Sequence, residues 1–184
     1  MHDQPIEHLQ EKVFAGNLLA AGAGQAAKVI DSFVSWLVAG AGGAVVFLVA
    51  NLGDLAPYVS VESVRRAGIL FVVAASLTVI EKYLASLVSG ATETYARAGS
   101  LGRQLAADEV EVDFSVVLRE VEAATLPPMR WFVSRSFAKV RKGDLAAAAR
   151  NYARCAQIQG LLALLVVVLV LVAAGIIVNG VGGG

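Results

Sequence analysis

The chain has 184 residues and a formal net charge of zero, and 57% of its residues are hydrophobic while only 16% are charged. Average soluble domains carry roughly 25% charged residues, so this composition and a mean hydropathy of +0.68 favour an all-α integral membrane protein. The balanced charge argues against nucleic-acid binding, and the lone cysteine, Cys155, excludes an intramolecular disulfide.

Residues 1–30 predict an amphipathic helical segment ahead of the first span. Ile6, Leu9 and Val13 recur at spacings of three and four, which is typical of one face of a helix, and Ala20 extends the same face. The acidic residues of this segment exclude a secretory signal peptide. The segment 22–27 formally matches the G-x-G-x-x-A nucleotide fingerprint, but no strand precedes it, so we interpret the match as false.

Residues 31–90 predict a helical hairpin of two membrane spans. The first span is the uncharged run 32–53, which is long enough to cross a hydrocarbon core of about 30 Å. The second begins after Arg66, where the fourteen uncharged residues rise only about 21 Å. We therefore expect its helix to continue through Glu81 and Lys82 to about residue 90.

Small residues cluster in the first span. Ala39 with Gly43, and Gly40 with Ala44, form small-xxx-small pairs, which allow two helix backbones to approach closely. Two interpretations stay open at this stage. The pairs pack against another span of the same chain, or they form a contact between copies.

Glu81 and Lys82 interrupt the second span and are the candidate intramembrane or interfacial charges. One interpretation places both at the membrane interface as ordinary terminal charges, with Lys82 snorkelling. In the other, Glu81 points into the bundle, where it pairs with Lys82 of a neighbouring copy or lines an ion or proton path. Ionised groups at membrane depth are costly and are commonly functional. Whether Glu81 lies at the interface or points into the bundle therefore bears directly on function.

Residues 91–154 predict a helical domain in water. One helix should start near Phe114 and end at the prolines 127–128, and a second should run from Pro128 to a stop at Gly143. The second helix is basic and amphipathic. In one interpretation it rests on anionic headgroups or contacts a partner, and in the other it packs on the first helix with its charges solvated. The predicted membrane-surface or partner contacts are Arg130, Trp131, Phe132, Arg135, Phe137, Lys139, Arg141 and Lys142.

Residues 155–184 predict the third span and a short glycine-rich tail. The apolar run 161–178 is uninterrupted, and we expect the preceding helix to start after an N-cap at Asp144 and to lead directly into it. Of the fifteen Lys and Arg residues, thirteen fall in the segments that three spans place on the side of the N-terminus. Positive residues are enriched on the cytoplasmic side, so the N-terminus should be cytoplasmic and the C-terminus outside.

Catalytic signatures are lacking in the sequence. His2 and His8 have no accompanying metal-binding pattern, and there is no phosphate-binding loop or nucleophile elbow. We therefore expect no catalytic, cofactor-binding or metal site. The leading hypothesis is a non-catalytic scaffold or subunit of a bacterial inner-membrane complex, which self-associates and engages a cytoplasmic or membrane partner. The alternatives are an oligomeric pore and, third, a membrane enzyme.

Overall fold

A computed structural model describes residues 9–109, 112–127, 129–144 and 146–181, and every named element in these ranges is an α-helix. The helices are α1 Leu9–Ala50, α2 Leu52–Leu55, α3 Val61–Ala107, α4 Phe114–Ala124, α5 Met129–Val140 and α6 Ala147–Asn179. The predicted all-α class is confirmed. Three helices, α1, α3 and α6, are long and apolar enough to cross a membrane.

The chain divides into two compact units, one of residues 1–25 and 88–156 and one of residues 26–87 and 157–184. The helices α1, α3 and α6 each contribute residues to both units. The N-terminal segment predicted for residues 1–30 is continuous with the first span from Leu9 onward, and Ile6 lies outside the described residues. As predicted, the helix of the second span continues through Glu81 and Lys82.

The unit of residues 26–87 and 157–184 has a core to which three helices contribute. Val34 of α1, Ala74 of α3, and Ala163 and Val166 of α6 are at most 7% exposed. Lipid tails are as apolar as these side chains, so close van der Waals packing, rather than exclusion of water, holds such helices together. The two alanines allow the helices to approach closely enough for that packing.

The loop after α1 and the segment after α6 meet at one end of this unit. Val59 and Val181 form an isolated antiparallel bridge, and the backbone N–H of Ser60 donates to the carbonyl oxygen of Gly180 at 3.2 Å. A Cβ atom on Gly180 would collide with the side chain of Ser63, so glycine is required for this approach. The C-terminal ends of α1 and α6 therefore share an end with the start of α3, as three successive spans require.

In the other unit, small residues of α1 form the buried face. Gly16, Ala20, Ala23 and Gly24 are buried, whereas Val13, which belongs to the predicted apolar face, is exposed. Of the predicted apolar face, Ala20 is thus buried and Val13 is exposed. Small residues are preferred here because a Cβ atom at Gly24 would collide with Thr92 of α3. The segment 22–27, which resembles a nucleotide fingerprint, is part of this helix-packing stripe.

The two short helices of this unit begin and end close to the predicted positions. Asp113 caps α4, because its Oδ1 accepts a hydrogen bond from the backbone N–H of Ser115 at 2.8 Å. Hydrogen bonds from the Ser115 hydroxyl group and then from its backbone N–H favour the carboxylate and lower the pKa of Asp113. The helices α4 and α5 pack on each other, with Arg141 Nη2 at 3.5 Å from Glu122 Oε2.

The turn after α5 follows the predicted stop, but the start of α6 differs from the prediction. Gly143 has a φ of +86°, a left-handed conformation that favours glycine and ends a helix. The helix α6 begins at Ala147, so Asp144 is not its N-cap residue. Instead, the Asp144 carboxylate pairs with the guanidinium of Arg150, one turn into α6.

Candidate functional site

A buried polar cluster joins the three long helices. Glu81 of α3 and Gln159 of α6 are both fully buried, at 0% exposure. The amide nitrogen Nε2 of Gln159 donates to Glu81 Oε1 at 2.6 Å and to the backbone carbonyl oxygen of Ala27, on α1, at 3.0 Å. The amide group of Gln159 on α6 thus links the carboxyl group of Glu81 on α3 to the backbone of α1.

The same cluster contains two oxygens whose hydrogen-bonding capacity is unused. Within the described ranges, Glu81 Oε2 and Gln159 Oε1 are buried and have no hydrogen-bond partner. Most buried polar side-chain atoms in proteins are paired, and an unpaired one costs about 1–3 kcal/mol. Two such atoms on two side chains that bond each other indicate that a further group belongs to the cluster.

The depth of the cluster follows from helix geometry. Twenty residues separate Val61 from Glu81 on α3, and twenty separate Gln159 from Asn179 on α6. At 1.5 Å per residue, each distance is about 30 Å, which is the thickness of a hydrocarbon core. The cluster therefore lies one membrane thickness from the end at which Val59 and Val181 meet.

Lys82 follows Glu81 in sequence but contacts different groups. Its ammonium nitrogen Nζ donates to Asp31 Oδ1 at 2.8 Å and to Ser35 Oγ at 2.5 Å, and its side chain is 46% exposed. Lys82 is therefore half exposed, whereas its neighbour Glu81 is buried among the three helices. The Lys82 ammonium group therefore makes its hydrogen bonds to α1 and none to the Glu81 carboxyl group.

Because the Lys82–Asp31 pair is exposed, we expect its loss to have a small effect. Exposed ion pairs contribute about 0.2–1 kcal/mol. Lys82→Met should therefore lower the free energy of unfolding by less than about 1 kcal/mol. Unfolding in mixed micelles titrated with SDS, followed by tryptophan fluorescence, measures this change. A loss of several times that size would show that Lys82 stabilises the buried cluster as well.

The small-residue cluster of α1 lies on an exposed face. Gly40 and Gly43 are exposed, and a Cβ atom added to either would meet none of the described residues within 4 Å. Trp36 and Phe47 lie on the same face and are 79% and 62% exposed. Ala39 and Ala44, which flank the glycines, are exposed too. In the same run, Gly42 faces the interior, against the ring of Phe71.

The predicted contact surface of α5 is partly exposed. Trp131 is 60% exposed, and the guanidinium carbon of Arg135 lies 5.5 Å from the centre of its ring, within the range of a cation–π contact. The exposed members of the set are Arg130, Trp131, Arg135, Lys139, Arg141 and Lys142, and Phe137 is half-buried. The side chain of Phe132 lies outside the description.

Across the described part of the chain, no three His, Cys, Asp or Glu side chains are grouped closely enough to hold a metal ion. The described residues define an all-helical fold with three helices able to cross a membrane and a buried carboxyl–amide cluster between them. The chain matches no protein-family profile, no curated protein and no solved structure.

Proposed function

We propose that the chain is a non-catalytic subunit of a bacterial inner-membrane complex, which self-associates through α1 and contacts the inner leaflet or a partner through α5. The observation that carries the proposal is the exposed pair of glycines on α1, Gly40 and Gly43. The N-terminus is cytoplasmic and the C-terminus lies outside. Thirteen of the fifteen basic residues then fall on the cytoplasmic side, which supports this orientation.

The contact face on α1 is a stripe in which two glycines lie between two aromatic rings. Trp36, Gly40, Gly43 and Phe47 are spaced by four, three and four residues, so they follow one stripe of the helix. The opposite side of α1 carries Val34, which packs in the core. A Cβ atom at either glycine would meet no described residue within 4 Å, and both rings are more than half exposed, so the stripe is accessible to another helix in the bilayer.

A second copy of the chain is the occupant that fits this stripe. Copies inserted in one membrane share one orientation, so a two-fold axis along the membrane normal brings the same stripe of both copies together. Glycines on both sides let the two backbones approach closely, and membrane helix pairs depend on such approach for packing contacts. The rings of Trp36 and Phe47 extend that contact beyond the glycines.

The basic surface of α5 supports the second part of the proposal. Arg130, Arg135 and Lys139 are exposed beside Trp131, whose ring is of the type found at membrane interfaces. Each basic residue near an anionic leaflet contributes about 1 kcal/mol of attraction. A cytoplasmic α5 would therefore rest against the inner leaflet, or present this surface to an acidic partner.

The decisive experiment places large side chains at the two glycines of the α1 stripe. Gly40→Leu combined with Gly43→Leu should shift the protein from an oligomer to a monomer, because leucine side chains prevent close approach of the backbones. Mass photometry or light scattering of the nanodisc-held protein measures the change. Gly175→Leu is the matched control, since Gly175 is an exposed glycine of α6 with no described atom within 4 Å of its Cβ position.

An unchanged mass in the double variant would contradict self-association through α1. The same preparations in liposomes test the pore alternative. A subunit without a conducting path should leave ion leakage at background, whereas leakage that disappears in the double variant would instead identify an oligomeric pore.

A further inference from the structure

We propose that Glu81 and Gln159 form a proton-binding site, in which Glu81 is held as the neutral acid and its hydroxyl donates to the amide oxygen of Gln159. This inference is independent of the α1 contact. It starts from the two oxygens that lack a partner within the described ranges, Glu81 Oε2 and Gln159 Oε1.

A single proton satisfies both oxygens. The amide hydrogens of Gln159 are directed to Glu81 Oε1 and to the carbonyl of Ala27, which leaves Gln159 Oε1 as a free acceptor. An ionised Glu81 has no hydrogen to donate, whereas a protonated Glu81 has one. A proton on Glu81 Oε2 turns that oxygen into a hydroxyl donor, and Gln159 Oε1 is then its acceptor.

Charge gives a second, separate reason. An ionised carboxylate that is fully buried without a counter-charge is so costly that such groups become neutral. The nearest cation in sequence, Lys82, is paired with Asp31 of α1, and that pair is neutral as a whole. Lys28 of α1 is exposed, and α6 carries no charged residue after Arg154. Among the described residues, no ammonium or guanidinium group hydrogen-bonds the Glu81 carboxyl group, and the nearby charges of Lys82 and Asp31 act on it in opposite directions.

A proton fits this site better than a metal cation. Hard metal ions bind through about six oxygen ligands, and the cluster offers two free ones. Thr78, one turn before Glu81, already donates its hydroxyl to the carbonyl of Ala74. Binding and release are simple acid–base steps, in which the O–H bond of Glu81 breaks and water on the nearer membrane face accepts the proton.

Proton release should loosen the joint between the three helices. The Glu81–Gln159–Ala27 connection lies where α1, α3 and α6 meet. A carboxylate left there without a counter-charge would favour access of water and a wider separation of the helices. The site is therefore a place where the protonation state of one residue changes the packing of the spans.

Infrared spectroscopy of the full chain in lipid bilayers tests the proposal. At neutral pH, the carbonyl band of a protonated carboxyl group should be present in the wild type and lost in Glu81→Gln, a near-isosteric variant. Glu62→Gln is the matched control, because Glu62 lies on the same helix, exposed and paired with Arg65 and Arg66. That control should keep the band. Absence of the band from the wild type would overturn the proposal.

Two further measurements need no variant. In choline and in sodium buffers the wild-type band should be equal, and a band that disappears only in sodium would overturn the proposal in favour of a sodium site. Dicyclohexylcarbodiimide reacts with neutral acids in apolar surroundings, so mass spectrometry should find the label on Glu81 and less of it as the pH rises. An unlabelled Glu81 that also lacks the infrared band would show that the carboxyl group is ionised.

Discussion

Replacing Gln159 with leucine should lower the free energy of unfolding by about 1–3 kcal/mol, the cost of leaving a buried polar group without its partner. The Gln159 amide donates one hydrogen bond to Glu81 Oε1 and another to the backbone carbonyl of Ala27. Leucine is of similar size, so the change removes polar contacts with little loss of packing volume. Unfolding in mixed micelles titrated with SDS gives the difference.

A double-mutant cycle separates lost pairing from lost packing. Replacing Glu81 and Gln159 together with leucine removes both partners, and such paired replacements by apolar groups are often nearly neutral. The double variant should therefore regain most of the stability that Gln159→Leu loses. Gln157→Leu is the matched control on the same helix, because Gln157 is exposed. If Gln159→Leu were no more costly than Gln157→Leu, the bond to Glu81 would have no role in stability.

Features governed by composition and helix length were predictable from the sequence. The uncharged runs after Asp31 and after Arg154 are each long enough for one crossing, and the structure contains continuous helices there. The second span was also predicted to pass through Glu81, because fourteen uncharged residues rise too little for a bilayer. These inferences need only the rise per residue and the cost of burying charge.

The partner of Glu81 was not predictable in the same way. Gln159 lies 78 residues further along the chain, and no local pattern connects the two. The two amides at the start of the apolar run were nevertheless a usable signal, since a polar side chain at that depth needs a partner. Which of Gln157 and Gln159 faces the interior depends on the rotation of α6, which tertiary packing determines.

The buried face of the first part of α1 was predicted only in part, for a related reason. The predicted apolar face included Val13, which is exposed, and Ala20, which is buried together with Gly16 and Gly24. Hydrophobic periodicity ranks residues by transfer from water, whereas close packing of helix backbones selects small side chains. The spacing of Gly16, Ala20 and Gly24 by four residues carried this information in the sequence.

Gly24→Ala and Gly22→Ala provide the sharpest test of that packing face, since each adds one methyl group to the same stretch of helix. Alanine is favoured over glycine in a helix by up to about 1 kcal/mol, and this gain is common to both variants. At Gly24 the new Cβ would lie 3.2 Å from Thr92 Cβ and closer still to its hydroxyl oxygen, whereas at Gly22 it would meet no described atom within 4 Å.

Overpacking of a close contact costs about 1–3 kcal/mol, so Gly24→Ala should unfold with a free energy lower than that of Gly22→Ala by about that amount. Unfolding in SDS-titrated micelles measures both variants under identical conditions. Adding Thr92→Ala to Gly24→Ala should recover part of the loss, because the hydroxyl and methyl groups nearest the new atom are removed. Equal stabilities of the two single variants would contradict close packing of α1 on α3 at this point, since only the neighbour at position 92 distinguishes them.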